Sequence, residues 1–215
     1  MRNFLNSRFV HFLFLLLIVA FVYALGYSIA RNKQLEPLAV SDNLKAMVVQ
    51  VKGTLKLDPR TQESDCHVRG PLPDHHCTPG AVFKEATTSQ ICVKGYTQIV
   101  RKVSVSLKKK VYAQYGISYP PPFGSYEADH LIPLALGGNN DIANLFPESA
   151  EPRPGFREKD LVEVYLHDEV CAGKIDLAVA QKLIADDLVS VYNSLPPEQL
   201  KKLSGRYGSW ADRGN

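Results

Sequence analysis

At 215 residues and 45% hydrophobic, the chain can bury one ordinary core, so a single globular domain with extensions is expected. Lysine and arginine number 25 against 22 acidic residues, but residues 1–30 hold Arg2, Arg8 and no acid, which leaves 23 against 22 in the remainder. That balance excludes a chain-wide polyanion-binding surface, so any nucleic-acid contact needs a local basic patch.

Behind Arg2 and Arg8 runs Phe9 to Ala30, 22 residues without a charged side chain. The run is long enough to span a bilayer, and the flanking arginines place the N-terminus in the cytoplasm. Ser28-Ile29-Ala30 offers small residues that a signal peptidase could read, so cleavage after Ala30 is the alternative to an uncleaved anchor. Its length favours the anchor. Either way residues 31–215 are expected outside the cytoplasm, with residues 9–30 as the membrane partner.

Residues 31–76 are expected as a stalk and a cysteine-containing loop. Met47–Val51 and Thr54–Leu57 could form a small hairpin around Gly53 or an ordered linker. The stretch from Asp65 to Gly80 is rich in Pro, Gly, Asp and His, which is loop chemistry that needs cross-links. Cys66, Cys77, Cys92 and Cys171 make an even set in an exported chain, which points to two disulfides. Three pairings are possible, with Cys66–Cys77 and Cys92–Cys171 preferred because the second ties two halves of the domain together. A zinc site is the rival, since Cys66, His67, His75, His76 and Cys77 crowd into twelve residues.

Gln90–Arg101 reads as two short strands, or a strand and turn, about Lys94-Gly95. Ser104 or Ser106 then caps a helix to Tyr115, with Gly116 as its stop, and Leu107, Val111, Tyr112 and Tyr115 share one face. Lys108, Lys109 and Lys110 point elsewhere. With Arg101 and Lys102 they form the densest basic cluster, either a solvated face or a phosphate-contacting one. After Pro152 to Pro154 a helix runs from Phe156 to Val170, with Val162, Tyr165, Leu166 and Val170 on its apolar stripe. Lys159, Glu163 and His167 form a second stripe at i, i+4 and i+8, on which Lys159 and Glu163 are expected to make an ordinary i,i+4 ion pair. Asp176 caps a further helix to about Asn193, and Pro196-Pro197 starts a short one to Leu203. Residues 205–215 form a tail.

The chemistry concentrates between the tyrosine at 126 and the glutamate at 148. Asp129 and His130 end a strand-like run, Pro133 and Gly137-Gly138 turn the chain, and Asn144 follows fourteen residues after His130. A neutral imidazole accepts a proton near neutral pH, and a carboxylate suits a hard cation. Neighbouring side chains on a strand face opposite ways, so Asp129 and His130 serve one site only where the strand ends.

Asp129-His130-x2-Pro133-Leu134-x2-Gly137-Gly138-x5-Asn144-Leu145 resembles the HNH endonuclease motif. Segments around it, Cys77–Ala81, Ile91–Thr97, Val100-Arg101, Lys159-Asp160-x2-Glu163 and Val170–Gly173, are similar to those of small exported bacterial HNH-like proteins, so the likeness covers about residues 77–193. It implies an α+β domain over residues 77–204 with a ββα-metal core, flanking helices and an N-terminal transmembrane or signal helix before it. It also implies endonuclease activity with one divalent cation, Mg²⁺ or Mn²⁺, on nucleic acid, most simply DNA bound without sequence preference. Asp129 is then the metal ligand, His130 the general base and Asn144 the residue that organises the loop. The family's third signature residue, a histidine or asparagine early on the following helix, is missing from Gly155–Asp160. Glu163 is the best replacement ligand and His167 the next. Without a replacement, the alternative is an inactive HNH-fold module that binds in the envelope. No protein partner is implied.

Overall fold

A computed structural model describes His11 and residues 17–23, 42–51 and 55–211. The chain divides into two compact units, Met1–Ala39 and Val40–Asn215. In the first, His11 and residues 17–23 are helical. Most of the expected span Phe9–Ala30 lies outside the described residues, among which no helix is long and apolar enough to cross a membrane.

The second unit is mixed helix and strand with a small two-stranded sheet. Its helices are α1 (Asp42–Gln50), α2 (Thr88–Ile91), α3 (Tyr96–Val100) and α4 (Val105–Gln114), then α5 (Phe156–Cys171), α6 (Leu177–Asp186), α7 (Leu188–Ser194) and α8 (Pro197–Ala211). Strands β1 (Tyr126–His130) and β2 (Leu145–Ser149) lie between α4 and α5 and pair antiparallel, with Asp129 opposite Phe146 and His130 opposite Leu145. α5 is the central helix, touching β1, α6, α7 and α8. It buries Val162, Tyr165, Leu166 and Val170, the stripe read from its sequence. α4 begins at Ser104, whose hydroxyl accepts from the Leu107 N–H at 3.1 Å, and buries Val111 and Tyr112. A side-chain oxygen at that position satisfies one of the helix's unpaired donors.

Three expectations are corrected. Asp42–Gln50 is a helix rather than the first arm of a hairpin, and Gly53 lies outside the described residues. Met47, Val48 and Val51 pack on the core together, a helical spacing that tertiary contact selects over the β preference of valine. Leu55, Leu57, Val68 and Leu72 pack there too, so residues 42–76 belong largely to the domain rather than to a stalk. Second, Gln90–Arg101 forms two short helices, not strands. The Thr87 N–H is capped by Gln90 Oε1 at 2.9 Å, and Gly95 takes a left-handed φ of 88° between the helices. Third, the helix expected from Asp176 to Asn193 breaks at Asp187 (φ −145°, ψ 37°), and the last helix extends past Leu203. Asp176 occupies the N-cap position of α6 but makes no side-chain cap bond.

The cysteines form Cys66–Cys77 and Cys92–Cys171 disulfides, as preferred. The zinc reading of the first pair fails because both sulfurs are bonded to each other. Two of its three histidines have other partners, His75 on Asp58 at 3.1 Å and His76 on Thr61 at 3.3 Å. The loop this disulfide closes is stitched to the domain. The Cys66 N–H reaches the Gln114 carbonyl at 3.0 Å, and Thr78 Oγ1 bonds Tyr115 and the Leu145 carbonyl.

Cross-link entropy grows with the loop enclosed, so the two bridges differ in weight. Replacing both cysteines of Cys92–Cys171, 79 residues apart, by serine should cost roughly 4.5 kcal/mol on that scale. The same change at Cys66–Cys77, 11 apart, should cost roughly 3 kcal/mol or less. Urea denaturation of the two double variants measures the difference.

Candidate active site

The site is built on the hairpin end. His130 is the last residue of β1, and its neighbour Leu131 donates to the Asn144 carbonyl at 2.8 Å. The intervening loop closes on the Asn144 side chain, which is fully buried. Its Oδ1 accepts from the Ile132 N–H, while Nδ2 donates to the carbonyls of Ile132 and Asn139, each at 2.9 Å. Gly137 supplies a left-handed φ of 78°. Gly138 is needed for a different reason: a Cβ there would lie 1.7 Å from the Ile132 carbonyl oxygen. From α6, Gln181 donates to the Leu136 carbonyl at 2.7 Å and braces the same loop.

His130 is held by a residue not singled out in the sequence. Asn140 Oδ1 lies 3.3 Å from His130 Nε2 and also accepts from the Lys102 N–H at 3.0 Å. Asn140 Nδ2 donates to the Val100 carbonyl at 2.8 Å. A backbone N–H only donates and a carbonyl only accepts, so these two bonds orient the amide and put its oxygen on the histidine. His130 therefore carries its proton on Nε2, and Nδ1 is the basic nitrogen. Nδ1 faces Asp129, 3.9 Å from Oδ1. Burial drives the His130 pKa down to about 4, against the opposing pull of Asp129, and Arg101 adds to the depression. The ring is neutral at pH 7.

Asp129 meets a cation from α5. Lys159 was expected to pair with Glu163 along the helix. Instead its Nζ sits 2.5 Å from Asp129 Oδ2 and 3.6 Å from Glu148 Oε2, with the lysine 1% exposed and Glu148 fully buried. Burial alone would raise the Asp129 carboxyl, but Lys159 and His130 outweigh it and hold it well below the ordinary carboxylate range. Burial would likewise lower Lys159, yet Asp129, Glu148 and Glu163 keep it charged. Glu148 is pushed far up by burial, only partly countered by Lys159. Glu163, one turn beyond Lys159 and half-buried, is raised to about 7 by burial and by Asp129, with Lys159 and Arg101 opposing.

Comparison with protein-family models, curated proteins and solved structures finds no match.

The divalent cation implied by the motif finds no ready cage. Among the described residues, the one set of three His, Cys, Asp or Glu side chains with ligand atoms within 4.8 Å of one another is Cys92, His167 and Cys171. Those sulfurs are consumed in a disulfide. His167, the second-choice ligand, is thus at the wrong end of the helix. Its Nε2 lies 3.2 Å from the Ile91 carbonyl, and eight residues of helical rise put it about 12 Å beyond Lys159. Glu163 stays within the electrostatic reach of Asp129, whose carboxylate is already neutralised by Lys159.

The basic cluster divides. Arg101 is exposed and close enough to act on both His130 and Glu163. Lys108 acts on Glu127 of β1, Lys109 lies over the Tyr119 ring at 5.8 Å, and Lys102 contributes its backbone to Asn140. Lys110 is exposed on α4. Arg157, unremarked in the sequence, also acts on Glu127 from the first turn of α5. Asn140 and Lys159 had no legible signature; the single hint for Lys159 was its place on the stripe shared with Glu163 and His167.

Two outcomes follow. Asn144→Ala should leave several buried polar groups unpaired and cost about 3 kcal/mol in denaturant unfolding, since each such group costs about 1–3 kcal/mol. In an NMR pH titration the His130 ring should stay neutral down to about pH 4, with the proton on Nε2, because burial disfavours the imidazolium.

Proposed function

We propose that this protein hydrolyses nucleic-acid phosphodiester bonds outside the cytoplasm, as an HNH-type endonuclease. The observation that carries the reading is His130. It is a neutral imidazole, locked by Asn140 in the tautomer whose Nδ1 is basic, beside an ionised Asp129 at the end of a hairpin closed by Asn144. In the proposed step, Nδ1 takes a proton from water as its oxygen attacks phosphorus and the P–O bond to the leaving oxygen breaks. Asp129 stabilises the imidazolium so formed. Arg101, exposed beside the histidine, offers a cation to the phosphate. The donor set around Asp129 does not match a divalent cation in the implied way, and no step is assigned to one. The two disulfides are compatible with an extracytoplasmic location.

A second reading, a non-catalytic binding module of the envelope, is favoured by two observations: His130 is only 2% exposed, and the charge of Asp129 is spent on Lys159.

Supercoiled plasmid decides between them. The wild type should nick it, and His130→Ala should lower the rate at least 100-fold, the usual weight of a general base. Running the assay in chelator and again with Mg²⁺ or Mn²⁺ reports the cation requirement. Equal cleavage by both proteins, or none by the wild type in any condition, ends the enzymatic reading.

A further inference from the structure

Asp129 and Glu148 stand on facing strands, and Lys159 reaches between them from α5. Glu148 is fully buried, and neither of its oxygens has a hydrogen-bond partner among the described residues. The Lys159 ammonium, 3.6 Å from Oε2, is the cation this carboxyl meets. Lys159 is enclosed, at 1% exposure, between a fully buried Glu148 and an Asp129 that keeps 19% of its side-chain surface exposed. A divalent ion on the same oxygens would have to share that enclosure with a fixed positive charge.

We propose that Lys159 is the resident cation of this site, and that it keeps closed a latent divalent-metal site formed by Asp129 and Glu148. The ammonium does for the two strands what a bound ion would do: it neutralises Asp129 and ties the hairpin to the helix. A lysine differs from Mg²⁺ or Mn²⁺ in being covalently held, singly charged and unable to accept water as a ligand. The folded wild type should therefore have no saturable affinity for a hard divalent ion at Asp129. Removing the ammonium while keeping the bulk should free two carboxyl groups of the kind such ions prefer.

The test is Mn²⁺ binding, which does not depend on whether the protein cleaves anything. The chelator-treated full chain in detergent is titrated with MnCl₂ by calorimetry and by the loss of the free-ion electron paramagnetic resonance signal. The wild type is expected to show no saturable site. Lys159→Met is expected to gain one, which Asp129→Asn added to it should remove, and Mn²⁺ should raise the melting temperature of Lys159→Met alone. Saturable wild-type binding that Asp129→Asn abolishes would overturn the proposal. So would a folded Lys159→Met protein that takes no Mn²⁺. If Lys159→Met does not fold even with Mn²⁺, Lys159→Arg, which keeps the charge, replaces it: no saturable binding supports the proposal and an Asp129-dependent site overturns it.

Discussion

The buried contact between Asp129 and Lys159 joins the two parts of the domain that matter most. One partner stands at the end of β1 and the other on the second turn of α5, the helix that the C-terminal helices pack around. Taking both charges out of water is costly, and their attraction in a low-dielectric interior offsets that only at close range. A single pair at 2.5 Å thus sets how the hairpin meets the helix. It also sets the electrostatics nearby. Asp129 stays ionised, Glu148 is left with a high pKa, and His130 next door remains neutral although it faces a carboxylate.

A second constraint is the closure of the loop between the strands. Asn144 bonds both the N–H and the carbonyl of Ile132, so one side chain replaces a missing stretch of ladder. Gly138 has to be glycine because backbone lies where its Cβ would be. With the loop closed, Asn140 falls beside His130 and, through Val100 and Lys102, connects the ring to the linker between α3 and α4. That linker carries Arg101. The tautomer of the base and the location of the nearest exposed arginine therefore have one origin. The Cys92–Cys171 bridge secures the same region, tying the end of α2 to the end of α5.

The residues of the site divide by how they could be read. Asp129, His130 and Asn144 were legible because a strand end, a glycine turn and an asparagine at fixed spacing leave a mark in the sequence. Helices α4 and α5 were legible too, through a capping serine and a clear apolar stripe. Asn140 and Glu148 were not, since an asparagine in a turn and a glutamate at a strand end look ordinary until their neighbours are known. Lys159 was misread for a related reason. At i and i+4 a lysine and a glutamate look paired, and only the approach of β1 offers the stronger partner. The strands expected over Gln90–Arg101 failed because β-branched residues in short segments adopt whatever backbone their cap and cross-link allow.

By itself, the sequence determined the local chemistry: the basic N-terminal flank and apolar run, the even cysteine count, the capped helices, and the turn that brings a histidine to a strand end. These depend on residues close along the chain, where propensity and spacing act directly. The tertiary structure alone decided which charges meet. A buried ion pair between residues 30 apart, a carboxyl without a donor and a histidine locked by a distant amide all depend on distances that no local pattern encodes. The cation at Asp129 is one of those outcomes, because the helix that supplies it is brought there by packing of the apolar stripe beside it.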